Sequence, residues 1–103
     1  MTIQEVLSST GIPAVYSHFT ETEKSPKAPP YLVYLGNGQD NFTADNTFYY
    51  SENRYRVEYY FIDKDETKEK AIEDAFLENG YLYERSEDIY LEEEGVFVIY
   101  YYI

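Results

Sequence analysis

The chain has 103 residues, with 20 Asp and Glu against 8 Lys and Arg, a net charge of −12. That charge argues against direct contact with nucleic acid or an anionic membrane, because either would repel it. The absence of cysteine excludes disulfides, thiolate metal sites and a cysteine nucleophile.

A single histidine, His18, excludes His-pair metal sites and any Ser–His–Asp triad not built on it. No apolar run approaches the ~20 residues of a membrane span, and residues 1–5 lack a secretory pattern. These features predict a soluble, intracellular, single-domain protein. Tyrosine is the compositional surplus. There are 14 Tyr and 6 Phe with no Trp, which argues against acidic disorder and for strands.

Thr2-Ile3-Gln4-Glu5 fits a capping box, with Ile3, Val6, Leu7 and Thr10 on one face, and Gly11 and Pro13 as stops. The spacing predicts a helix over 3–10. Residues 14–19 read as a first strand and 20–30 as a surface loop containing Ser25-Pro26 and Pro29-Pro30. Residues 31–35 are a second strand, apolar at every position. Gly36 to Asn46, rich in Gly, Asn and Asp, reads as a turn or loop.

Thr47 to Ile62 is a long strand, bent near Ser51-Glu52-Asn53. Tyr55, Val57, Tyr59 and Phe61 share one side, and Arg54, Arg56, Glu58 and Tyr60 share the other. A second helix starts after Asp65 as N-cap, buries Ala71, Ile72, Ala75 and Phe76, gains from a Glu66→Lys70 pair, and stops at Asn79-Gly80. Residues 81–85 read as a strand and 89–91 as a short extended piece. Residues 92–95 make a turn, and Val96 to Ile103 is the final strand.

The order α-β-β-β-α-β-β predicts an α+β domain over 1–103, with a mostly antiparallel sheet of four to five strands and two helices. Strands 31–35 and 96–103 are apolar on both sides, whereas two short helices can roof one face only. The other face requires cover from loops 20–30 and 36–46, from another copy, or from a different protein. An uncovered aromatic patch reads as a binding surface.

No constellation carries chemistry. His18 has no recognisable nucleophile. Asp40, Asn41, Thr43 and Asp45 lack the calcium-loop spacing and read as a turn. Glu92-Glu93-Glu94 reads as a solvated hairpin tip. Arg54 and Arg56 read as cross-strand partners or as interface anchors. No Walker loop, GxGxxG or GxSxG motif occurs. The prediction is therefore a non-enzymatic protein without cofactor or metal. A separate possibility comes from the charge, 13 acidic and 4 basic residues within 63–94: an acidic mimic of DNA that inhibits a nucleic-acid-binding protein.

The chain resembles the tail completion, tail terminator and head–tail joining proteins of tailed phages and prophages of Gram-positive hosts. The likeness lies in Ser9-Thr10-Gly11-Ile12-Pro13 leading into Val15-Tyr16 and His18-Phe19, in Pro29-Pro30-Tyr31-Leu32-Val33-Tyr34, and in Asp40 to Asn46. Asn53-Arg54-Tyr55 before Val57-Glu58-Tyr59-Tyr60, then the acidic helix and aromatic terminal hairpin, complete it. The resemblance implies a virion assembly component that forms homo-oligomeric rings and contacts other tail or connector proteins. Its station would be the virion, or the host cytoplasm before assembly, without direct binding of nucleic acid or membrane. The residues proposed to make contacts are Asp40, Asn41, Phe42, Asp45, Asn46, Arg54, Arg56, Tyr60, Tyr100 and Tyr102.

Overall fold

The computed structural model describes residues 2–17, 29–44 and 48–103, with the backbone alone over 40–44 and 48–52. His18, Phe19, Asp45, Asn46 and most of the predicted loop 20–30 lie outside the described residues. The elements in chain order are α1 (Ile3–Ser8), β1 (Ala14–Tyr16), β2 (Tyr31–Ala44), β3 (Phe48–Phe61), α2 (Glu66–Glu78), β4 (Glu84–Arg85), β5 (Ile89–Leu91) and β6 (Val96–Tyr102).

Helix α1 opens with the capping box its sequence encodes. Glu5 N donates to Thr2 Oγ1 at 3.2 Å and Thr2 N donates to Glu5 Oε1 at 3.1 Å. It ends at Ser8, two residues before the predicted stop. The Ser9 and Thr10 hydroxyls donate to the Val6 and Leu7 carbonyls at 2.6 Å, a local alternative to further helical turns. In α2, Asp65 caps the first turn by accepting from Thr67 N and Lys68 N. Its buried stripe is Glu69, Ile72, Ala75 and Phe76. Ala71 is exposed, contrary to expectation, and Lys70 pairs with Asp74 at 2.8 Å.

The strands form one six-stranded sheet in the order β1-β2-β3-β6-β4, with β5 also on β6. Only β1 with β2 is parallel; the other pairs are antiparallel. The α+β class and the mostly antiparallel pairing are those read from the sequence. The sixth strand is the short piece 89–91, which shares the outer side of β6 with β4. The predicted strand 81–85 contracts to two residues. Tyr81 N donates to Phe76 O at 2.8 Å, so Tyr81 completes the end of α2 instead.

Gly36 to Asn46 reads from the sequence as a turn or loop, but residues 36–44 are strand: β2 runs to Ala44 and pairs with β3 from Gln39↔Asn53 to Ala44↔Phe48. Between Gly36↔Tyr55 and Gln39↔Asn53 the register shifts by one, so Asn37 and Gly38 together oppose Arg54. Gly38 adopts φ +77, a conformation costly for residues with a Cβ. Beyond this bulge the two strands continue as a two-stranded arm, pairing with no other strand among the described residues. Its six rungs span about 20 Å at ~3.3 Å per residue, and the molecule measures 51 × 31 × 25 Å.

Both helices pack on one face of the sheet. Ile3, Val6 and Leu7 of α1 and Ile72, Ala75 and Phe76 of α2 join Leu32, Val57, Tyr59, Phe61, Ile99, Tyr101 and Ile103 in a single core. The opposite face carries no helix among the described residues.

Candidate interaction surface

Three rows of residues cross the helix-free face. They are fixed by the registers of β2, β3 and β6: Tyr31–Tyr60–Val98, Val33–Glu58–Tyr100 and Leu35–Arg56–Tyr102. Strand alternation dictates that residues two apart share this face. Val33 and Val98 are buried here, at 6% and 0% exposure, yet lie outside the main core. Around them stand half-buried Tyr31, Leu35, Arg56, Tyr60 and Tyr100, with Tyr102 38% exposed. The face therefore has a closed aliphatic centre with half-buried tyrosines around it. Its bare apolar area is smaller than two-sided apolar strands suggest.

Polar chemistry converges on Glu58, which is 7% exposed. Tyr60 Oη donates to its Oε1 at 2.6 Å, and Arg56 Nε donates to its Oε2 at 2.9 Å. The Arg56 guanidinium lies 5.8 Å from the Tyr100 ring centroid, and the Tyr31 and Tyr60 rings stack at 5.0 Å. A buried carboxylate needs such partners. Burial first, and then donation to Glu58, push the Tyr60 phenol well above its ordinary range. Burial, with the Glu94 and Glu58 carboxylates, raises Tyr31.

Of the ten residues singled out from the sequence, Arg56, Tyr60, Tyr100 and Tyr102 come together on this face. Arg54 stands opposite the bulge at the arm's base. Asp40, Asn41 and Phe42 occupy β2 rungs with Glu52, Ser51 and Tyr50. Asp45 and Asn46 lie outside the described residues. Tyr31 and Glu58 complete the face and were not singled out. The signal for Glu58 was its place two residues from Arg56 and from Tyr60 on one strand side.

The helix-bearing side holds a second polar network. Glu73 accepts from Tyr101 Oη (2.8 Å), Tyr83 Oη (3.1 Å) and Arg85 Nη1 (2.7 Å). Arg85 Nη2 reaches Glu69 Oε1 at 3.1 Å, and Lys64 Nζ lies 2.8 Å from Glu69 Oε2 and 2.9 Å from Asp88 Oδ2. These ion pairs and hydrogen bonds tie α2 to β4 and β6. Tyr59 is fully buried, and its hydroxyl finds no hydrogen-bond partner among the described residues. Among the described residues no group of three His, Asp or Glu is placed to hold a metal ion, and no helix is long and apolar enough to cross a membrane.

Comparison with protein-family models, with curated proteins and with solved structures finds no match to this chain.

Proposed function

We propose that the chain is a non-enzymatic structural protein of a tailed phage, a ring-forming tail completion or head–tail joining component. It would work in the virion and pass through the host cytoplasm before assembly. The observation that carries this reading is the helix-free face, where tyrosines and Arg56 stand half exposed over a buried centre. Tyrosine and arginine suit contact cores because they combine large area with a polar tip. The sequence resemblance to phage neck proteins supplies the biological setting.

Light scattering and negative-stain imaging at rising concentration test it, together with a tail-completion assay in a phage lacking this chain. Annular particles or restored tails are the expected result. A chain that stays monomeric at every concentration and restores no tails overturns the reading.

A second reading has one observation in its favour. Glu66, Glu78, Glu84, Glu87 and residues 92–94 are all exposed, so much of the acidic charge of residues 63–94 stands at the surface. An acidic inhibitor that mimics DNA would use it. That reading expects the chain to displace DNA from a basic nucleic-acid-binding protein at low salt and to lose the effect at high salt.

A further inference from the structure

The segment that crosses from the end of α2 to β5 has no anchor in the core. From Tyr81 to Gly95 no residue is buried, whereas Val96, Val98, Ile99 and Tyr101 of the adjoining β6 all are. Tyr81 closes α2 at one end, and Ile89 opens β5 at the other. Between them, residues 82–88 meet β6 through two rungs, Glu84↔Tyr102 and Arg85↔Tyr101. Ser86 adds two bonds, its N–H donating to Tyr100 O and its Oγ accepting from Tyr100 N, both at 2.9 Å. The one large apolar contact is the Tyr83 ring, 6.0 Å from the Phe76 ring and 5.9 Å from that of Tyr101. Leu82 is 82% exposed.

Polar side chains hold the segment to α2 and to Lys64. Tyr83 Oη donates to Glu73, Arg85 reaches Glu73 and Glu69, and Asp88 pairs with Lys64. Water reaches the Asp88–Lys64 pair, so it holds weakly and is screened by salt. Arg85 differs, because its partner Glu69 is 4% exposed. The hold is therefore concentrated in one guanidinium. A segment with few apolar contacts and water-accessible bonds opens at lower cost than the core beside it.

We propose that residues 82–88 are a strap latched by Arg85, which lifts from β6 as a unit while the rest of the sheet stays folded. Lifted, it bares the β6 backbone at Tyr100 and Tyr102 and leaves Glu69 to Lys64 alone. Tyr100 and Tyr102 belong to the helix-free face, so opening extends that face by a free strand edge. The strap acts in this way whether or not the chain assembles.

The alternation of β6 supplies the readout. Ile103 and Tyr55 exchange both backbone bonds, so Tyr101 and Ile99 also turn their N–H groups to β3, and Tyr102 and Tyr100 turn theirs to the strap. Amide hydrogen exchange, followed residue by residue by NMR, separates the two sets. In the parent chain, protection at Tyr100 and Tyr102 is expected to be about tenfold below that at Ile99 and Tyr101. Raising salt from about 0.05 to about 1 M widens the gap. Arg85→Gln lowers protection at Tyr100 and Tyr102 by about a further tenfold and leaves Ile99 and Tyr101 as in the parent. One shared protection factor for all four amides in the parent overturns the inference, because the strap then opens only with the whole sheet. An Arg85→Gln chain in which Tyr100 and Tyr102 stay as protected as in the parent overturns it, as does one in which all four lose protection by the same factor.

Discussion

Two buried tyrosines on neighbouring strands show how differently one hydroxyl can act. Tyr101 Oη donates to the Glu73 carboxylate at 2.8 Å, a bond to a charged group whose loss leaves Glu73 with Tyr83 and Arg85. Tyr101→Phe is expected to cost about 1–2 kcal/mol. Tyr59 lies equally deep, but its hydroxyl has no partner among the described residues. Tyr59→Phe removes a desolvated, unsatisfied group and is expected to be neutral or to stabilise by up to about 1 kcal/mol. Urea denaturation of the two variants beside the parent checks both signs. Equal losses in the two would show that the Tyr59 hydroxyl is as well satisfied as that of Tyr101, and overturn the contrast.

At the scale of elements, the bulge at Asn37-Gly38 shapes the molecule. Before it, Tyr31, Val33 and Leu35 belong to the helix-free face. After it, the rungs that share the face of Arg56 are Asp40↔Glu52, Phe42↔Tyr50 and Ala44↔Phe48, so the parity of β2 has switched. Gly38 meets nothing that a Cβ would touch, so its requirement is purely one of φ +77. Gly38→Ala is expected to cost about 1 kcal/mol, read as a lowered melting temperature. If it leaves stability unchanged, the left-handed conformation there is not required.

The same bulge explains where the sequence was silent. Helix α2 announced itself through Asp65, the stripe at Ile72, Ala75 and Phe76, and Asn79-Gly80. The capping box of α1 was equally plain, and the alternation of β3 separated the core side from the Arg56 side correctly. The distal half of β2 gave no such pattern. Its period-2 alternation changes phase inside a run of Gly, Asn and Asp, residues that elsewhere make turns. The half-exposed face was legible as two-sided apolar strands, but its closed centre was not, because the burial of Val33 and Val98 has no one-dimensional signature. The latch at Arg85 joins β4 to α2, a meeting that only the fold creates. Glu69 was hidden for a similar reason: a glutamate on a helix reads as solvent-facing until Lys64 and Arg85 arrive from elsewhere to pair with it.

For the molecule as a whole, the tyrosines set an alkaline limit. Burial, with the Glu69 and Asp65 carboxylates nearby, pushes the Tyr59 phenol up to about 12. Burial, and then the bond to Glu73, raises Tyr101 further. These groups hold their protons more tightly folded than unfolded. Their stabilising effect is complete below the unfolded value near 10 and is lost as pH climbs from 10 through 12 and beyond. Tyrosinate absorbance near 295 nm and circular dichroism, followed together, are expected to show a fraction of the tyrosines ionising only as the fold is lost. A smooth titration of all 14 before any loss of structure would contradict this.

The margins of the sheet are stubby: β1 has three residues on one side, and β4 and β5 have two and three on the other. Long bare edges invite edge-to-edge strand pairing, and β1, β4 and β5 are too short to template it. The projecting hairpin, whose two strands beyond the bulge pair with no other strand among the described residues, is then the place where strand-to-strand growth could begin.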